Sequence, residues 1–261
     1  MLALLAAPAE ALGEGIQDNS FLLEEAYNQE AGVVQHISVF TREREGGGWQ
    51  YGFTQEWPFP GLRHQISYTL SLQHAGEGPT GVGDGALNYR YQLVGDGKAP
   101  LAVSPRLSLL VPLGRARDGL GTGGAGFQVA LPFSVVIGPR LATHGNAGFT
   151  HVFAAQDVAG NSSATSGVTL GQSLIFTVTP RFNLMLEAVW TRSQSVVGPG
   201  ATRWRESAFA SPGIRWAHDF TGGLQIVPGL AVPIGLGESG GESSILVYLS
   251  FEHPFRKPLS H

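Results

Sequence analysis

The sequence predicts an all-β chain that forms a closed antiparallel transmembrane β-barrel of about 12 strands. The main sign is a dyad repeat of hydrophobicity, clearest between Leu62 and Gln73, where Ile66, Tyr68 and Leu70 alternate with polar residues. Because successive side chains of a strand point to opposite faces, each repeat has one apolar face and one small polar face. Such repeats recur about a dozen times along the chain, as expected for strands that cross lipid.

The connections between these repeats alternate strictly between short and long. The short connections are Pro58–Gly61, Gly95–Ala99, Gly138–Arg140, Thr179–Arg181 and His218–Gly223. The long connections are Arg42–Gly48, His74–Gly85, Gly114–Ala125, Ala154–Ser166, Ser193–Glu206 and Gly235–Glu242. Outer-membrane barrels have short periplasmic turns and longer external loops, and an even strand number returns both termini to the periplasm. A soluble β-sandwich has no reason to place all its long loops at one end, and the small polar face could not fill a barrel of this size as a packed core, so the pattern favours a barrel with a wet lumen.

Composition agrees with this class and excludes several others. The 261 residues include 37 Gly and no Cys, and 14% are charged, against about a quarter in a typical soluble domain. A net charge of −4 without a basic stripe argues against a nucleic-acid partner. The lack of Cys excludes a disulfide framework and a thiolate metal site. No uncharged apolar run approaches the roughly 18 residues of a spanning helix, so a membrane location requires a barrel.

The chain divides into four predicted segments. Residues 1–11 are interpreted as a signal-peptide remnant, because the apolar run Leu2–Pro8 precedes a small-x-small cleavage pattern; the alternative is a disordered apolar tail. Residues 12–30 are predicted to be a periplasmic N-terminal segment or a plug. In it Asp18–Ser20 is a candidate N-cap for a turn or two of helix. Residues 31–255 form the barrel, and residues 256–261 form a C-terminal tail.

Charges on the polar face are the candidates for selectivity in the lumen. They are Arg90, Arg106, Glu187, Arg215, Glu56 and Arg63. Counting from the first short turn predicts an ion pair between Glu56 and Arg63.

The next short turn brings two like charges, Arg90 and Arg106, roughly opposite each other, which is destabilising unless something neutralises them. Glu24 or Glu25 of the N-terminal segment is predicted to dock on the two arginines and partly occlude the pore. The alternatives are Glu187 across the lumen, a permeating anion, or screening by water and salt.

The sequence predicts no enzyme activity, no metal site and no cofactor. His144 and Ser173 lie on the lumen face of neighbouring strands, but no G-x-S-x-G motif accompanies them. The eight His residues show no H-x-x-x-H spacing. The Gly-rich stretch Gly81–Gly85 lies between strands without a following helix, so a phosphate cradle is not supported.

Several stretches resemble bacterial outer-membrane β-barrel transporters, of the family named for the meta-pathway of phenol degradation. The stretches are Glu24–Glu30 with Val33–His36, Gly83–Asp84 with Leu87–Gln92, Pro180–Asn183, Gln225–Leu230 and Tyr248–Phe255. The resemblance covers nearly the whole mature chain and implies a location in a Gram-negative outer membrane. It carries no catalytic residues. Barrels of this kind often end on an aromatic residue read by the barrel-insertion machinery, whereas here Arg256–His261 follows Phe255.

These observations predict an outer-membrane channel for the passive passage of small solutes, with aromatic or organic-acid metabolites as candidate cargo. The alternative is a plugged structural or lipid-modifying barrel. The expected partners are outer-membrane lipid, a small-molecule solute and the insertion machinery. The sequence leaves the solute, the resting state of the pore and the oligomeric state open.

Overall fold

The computed structural model describes residue 16 and residues 18–96 and 99–255. The predicted signal-peptide remnant, residues 1–11, and the predicted C-terminal tail, residues 256–261, lie outside the described residues.

Within the described residues, twelve strands form one closed antiparallel barrel, which confirms the predicted fold class. The strands are β1 (Val33–Glu43), β2 (Trp49–Pro58), β3 (His64–His74), β4 (Gly85–Tyr91), β5 (Arg106–Val111), β6 (Gly126–Val136), β7 (Leu141–Gln156), β8 (Ser162–Thr179), β9 (Phe182–Gly198), β10 (Ala201–Trp216), β11 (Gln225–Ala231) and β12 (Ser244–Pro254). Each strand pairs with the next along the chain, and β12 pairs with β1 to close the barrel. Because Val33 pairs with Pro254, both ends of the barrel domain lie at the short-turn end.

The barrel wall is apolar outside and largely polar inside. Large apolar side chains in mid-strand are 45–53% exposed, as for Leu70, Leu170 and Leu186. The side chains that alternate with them on the same strands include fully buried polar groups, such as Ser173 and Glu187. An exterior this rich in exposed Leu, Val and Phe suits hydrocarbon as the surrounding solvent, as the dyad repeat predicts.

The four longest strands, β7 to β10, have 16, 18, 17 and 16 residues. About 9–11 residues suffice to cross a bilayer, so these strands project beyond it at the long-loop end. The prediction that Ala154–Ser166 and Ser193–Glu206 are loops is therefore wrong: most of their residues continue the strand pairing. Only residues 157–161 and 199–200 turn the chain, and the Ser, Thr and Val residues beside them suit extended backbone.

Prolines lie at two breaks in the barrel wall. Pro105 separates the short strand Leu101–Val103, which pairs with β6, from β5. Pro233 likewise separates β11 from the short strand Ile234–Leu236, which pairs with β10. Proline has no backbone N–H, so it donates no pairing hydrogen bond at either break.

Two further short strands complete the sheet: Thr80–Val82 pairs with β3, and His218–Asp219 pairs with β11. Two 3₁₀ turns, Ala116–Asp118 and Gly237–Ser239, lie in the long-loop connections of the described chain. No helix in the described ranges combines the length and the apolar character that crossing a bilayer requires.

Candidate functional site

Residues 18–30, called here the lumen loop, lie inside the barrel. The segment starts near the short-turn end, where Ile16 packs against Ala217 and Val227. It rises to an apex at Phe21–Leu23 and descends again, so that Asn28 donates to the carbonyl of Leu62 in a short turn. The predicted turn or two of helix is wrong, because the loop has no helical residues. Most of its hydrogen-bonded backbone groups bind side chains of the wall, while the N–H groups of Asn19 and Glu25 bind side chains of the loop itself.

Arg215 on β10 holds the ascending arm. Its side chain is 1% exposed and donates to three main-chain carbonyls, those of Ile16 (3.1 Å), Asp18 (2.9 Å) and Asn19 (2.8 Å). Hydrogen bonds to a charged group are among the stronger ones in proteins, so Arg215 is a principal anchor of this arm.

The side chain of Asp18 is held by the nearby strands β1 and β12. Its Oδ1 accepts hydrogen bonds from Gln35 Nε2 on β1 and from the Tyr248 hydroxyl on β12, each at 2.7 Å. Neither Gln35 nor Tyr248 is a predicted site residue. Alternation places both on the inner face, but it gives no sign that they meet Asp18.

Glu187 on β9 holds the apex. Its carboxylate is fully buried and accepts hydrogen bonds from the backbone N–H groups of Phe21 (3.2 Å) and Leu22 (2.9 Å). A buried backbone N–H without a hydrogen-bond partner is costly. Glu187 supplies the acceptors that backbone carbonyls of a helix or sheet would otherwise provide.

Apolar side chains of the apex fit hollows in the wall made by glycines. The Phe21 ring lies against Gly213 on β10 and Gly229 on β11, and its centroid is 5.2 Å from that of Tyr248. Leu23 lies against Gly171 on β8 in the same way. A side chain at any of these glycines would occupy the space that the apex now fills.

Arg90 on β4 holds the descending arm. Its side chain is 3% exposed and donates to the carbonyls of Glu25 (2.9 Å) and Tyr27 (2.7 Å) and to Asn28 Oδ1 (3.1 Å). Thus the two most deeply buried arginines of the predicted set bind main-chain carbonyls of the loop.

Arg106 meets a carboxylate of the loop. The register places Arg106 directly opposite Arg90, so two cations lie side by side on the lumen face. Glu24 forms an ion pair with Arg106 and lies 3.9 Å from Arg90 NH1. The other terminal nitrogen of Arg106 donates to Gln128 Oε1.

The main chain of Glu24 is held independently of its side chain. Asn146 on β7 accepts from the Glu24 N–H at 2.9 Å and donates to the Glu24 carbonyl at 2.8 Å. The carboxylate of Glu24 is therefore not needed to keep its backbone in the lumen. Nothing in the sequence pattern distinguishes Asn146 from the other polar residues of the inner face.

The predicted ion pair between Glu56 and Arg63 is wrong. Glu56 is buried and accepts a hydrogen bond from Gln65 Nε2 at 2.6 Å. The register places Ser67 opposite Glu56, which leaves Arg63 exposed in the turn between β2 and β3 rather than on the lumen face. The turn uses more residues than the sequence suggests, because β2 runs to Pro58 and β3 starts only at His64.

His144 and Ser173 face each other across β7 and β8, but their side chains bind different groups. The imidazole Nδ1 of His144 lies 2.7 Å from Ser134 Oγ. Ser173 Oγ accepts from Ser20 Oγ of the loop at 2.9 Å and from the backbone N–H of His144 at 3.2 Å. The geometry therefore joins Ser173 to the loop rather than to the imidazole.

Two acidic groups of the lumen loop are buried away from water. Burial raises the pKa of the Glu25 carboxyl to about 8, and the nearby Asp18 carboxylate contributes to the rise. Burial also raises the pKa of Asp18, against the opposing effect of Arg215. Burial therefore disfavours the charged forms of these two carboxyl groups.

Cavities remain around the loop. A vestibule of about 480 Å³ at the long-loop end is lined by Leu22, Val189 and Phe209 together with polar residues. A smaller cavity of about 140 Å³ lies beside the loop, and one of about 320 Å³ lies at the short-turn end. The loop thus lies between open spaces on both sides of the barrel.

Replacing Gly229 by Ala should loosen the apex. The added Cβ would lie 2.4 Å from a ring atom of Phe21, so the ring must move, at a cost of about 1–3 kcal/mol typical of overpacking. We expect Gly229→Ala to make the loop more susceptible to limited proteolysis in detergent. Gly148→Ala is the matched control, because its Cβ would have no neighbour closer than 3.7 Å. Equal proteolysis of the two variants would contradict the packing role of Phe21.

The architecture matches solved barrels of bacterial outer membranes. The COG4313 outer membrane channel from Pseudomonas putida F1 has a TM-score of 0.61 at 12% identity, covering 87% of this chain and 97% of that one. The NanC porin has a TM-score of 0.56 at 10% identity, covering 83% and 98%. The KdgM porin has 0.51 at 8%, again covering 83% and 98%. The fold is that of an outer-membrane barrel.

At these identities the likeness establishes the fold alone. No protein-family model matches the chain, and no curated protein matches it. Membership of the family named for the meta-pathway of phenol degradation therefore stays a prediction.

Proposed function

We propose that the protein is a channel of the bacterial outer membrane through which small solutes pass passively, and that the lumen loop is its plug. The main support for the proposal is the set of contacts that hold the loop in the lumen. Polar wall side chains bind its main chain from several strands, while cavities lie on either side of it. Contacts of this kind can be exchanged for water one by one, whereas a continuous dry core cannot.

We further propose that selectivity resides in Arg90, Arg106, Glu187 and Arg215, with Glu56 beside them. All five belong to barrel strands and are buried in the lumen with the loop in place, except that Arg106 is partly exposed. If the loop leaves, these groups line the path. Aromatic or organic-acid metabolites suit such a path, because it combines cationic groups with the apolar vestibule around Val189 and Phe209. This cargo agrees with the resemblance to the phenol-degradation family.

Liposome swelling tests the proposed function. Purified chain reconstituted into liposomes should admit small neutral and anionic solutes at rates that fall with solute size, as for a diffusion pore. Heat-modifiable gel migration of the same sample checks that the barrel is folded. Folded barrels that admit no solute under any condition, or that hydrolyse the liposome lipid instead, would favour the alternative of a plugged structural or lipid-modifying barrel.

A further inference from the structure

The environment of Glu24 has the character of an occupied ligand site. Arg106 presents one terminal nitrogen to the Glu24 carboxylate and the other to Gln128 Oε1, and Arg90 NH1 lies 3.9 Å from the same carboxylate. Two guanidinium groups therefore face one carboxylate, and Gln128 orients one of them by accepting from Arg106. Guanidinium groups match carboxylates in geometry as well as in charge, so this set of groups is suited to any carboxylate that can reach it.

Part of the site is not used by Glu24. Among the described residues, Arg106 Nε is buried and has no hydrogen-bond partner. Two residues further along the same face of β5, the hydroxyl of Ser108 is also buried and without a partner in the described chain. Buried donors without partners are uncommon in folded proteins and indicate that another group can bind there.

The site opens onto the cavity of about 140 Å³ beside the lumen loop. Its lining includes polar groups, among them Arg106, Asn88, Thr54 and the buried carboxyl of Glu56, and the apolar side chains of Leu22, Ile37 and Val39. A ligand suited to this lining has a carboxylate that Arg106 can bind and a small apolar group.

We infer that Arg106, with Arg90 and Gln128, forms a binding site for small monocarboxylates that carry an apolar group, and that Glu24 is its internal occupant. An incoming carboxylate displaces Glu24 from Arg106 and occupies its place. This inference rests on the proposed function, because it makes the site a step on the solute path. It adds the class of solute and the residue with which that solute competes.

Benzoate and benzamide are matched probes, because they share their shape and differ in charge. Isothermal titration of the full chain in detergent should show benzoate binding more tightly to Glu24→Gln than to the wild type, by about tenfold. The backbone of residue 24 keeps its contacts with Asn146 in this variant, so the loop can stay in place. Benzamide should bind both proteins equally.

Glu30→Gln is the matched control, since it removes the same charge from an exposed position of the same segment. It should leave benzoate binding unchanged. Adding Arg106→Gln to Glu24→Gln should abolish the preference for benzoate over benzamide. If Glu24→Gln destabilises the loop, a chain lacking residues 18–30 should still prefer benzoate by about tenfold.

Equal binding of benzoate and benzamide to Glu24→Gln and to the shortened chain would overturn the inference. So would a gain in benzoate affinity in Glu30→Gln as large as in Glu24→Gln. Failure of the proposed function is a separate result: liposomes would admit neither probe, while titration would still show the preference for benzoate.

Discussion

A chain lacking residues 18–30 should form a permanently open pore. The loop fills the centre of a twelve-stranded barrel, and barrels with more than about eight strands enclose more space than the wall side chains can fill. In planar bilayers we therefore expect the single-channel conductance to rise by about tenfold over the intact chain, as expected when a plugged lumen becomes a water-filled one.

Two controls accompany the deletion. Heat-modifiable gel migration should show that the shortened barrel still folds, because no strand pairing of the described chain involves residues 18–30. A synthetic peptide spanning residues 16–30, added on the side of the short turns, should lower the conductance again, whereas a scrambled peptide should not. An unchanged conductance in a folded deletion variant would refute the role of the loop as a plug.

Replacing Arg215 by Met should weaken the docking of the lumen loop and open the pore more often. The change removes three hydrogen bonds from a charged donor to the carbonyls of residues 16, 18 and 19, while keeping a side chain of similar length. Hydrogen bonds to charged groups contribute about 1.5–3 kcal/mol each, and water replaces part of this loss. A net cost of about 3 kcal/mol to docking corresponds to a rise of more than about a hundredfold in the ratio of open to closed pores.

Single-channel recordings measure that ratio directly as the open probability. Arg205→Met is the matched control, because Arg205 belongs to the same strand but is exposed above the lumen loop, in the projecting hairpin. Its open probability should equal that of the wild type. If Arg215→Met behaves like Arg205→Met, Arg215 does not hold the plug.

Much of the fold could be predicted from the sequence because a strand in a membrane barrel has two chemically different surroundings. Lipid on one side and a wet lumen on the other impose the alternation seen around Leu70 and Leu170. The projecting ends of β8 to β10 cannot be recognised as strands from alternation, because they lie beyond the bilayer. There both faces meet water, so residues such as Ser195, Thr202 and Arg203 show no alternation although they are paired.

Less of the candidate site can be predicted from the sequence. The lumen charges Arg90, Arg106, Glu187 and Arg215 stand out because charge is rare on an alternating strand, and the structure places all four against the lumen loop. Arg63 does not reach the lumen because the third strand starts only at His64, which leaves Arg63 in the exposed turn. The glycines that pack against Phe21 cannot be predicted, because a glycine in a strand does not indicate which side chain contacts it.

The barrel, its approximate strand number and the direction of its apolar face can be derived from the sequence, because they follow from local alternation and from the lengths of connections. The contents of the lumen depend on the tertiary structure. The loop has no secondary structure of its own, and its path depends on side chains brought together from strands far apart in the chain, such as Asn146, Glu187 and Arg215. Contacts of that kind produce no periodic pattern in the sequence, because each forms only after the sheet has closed.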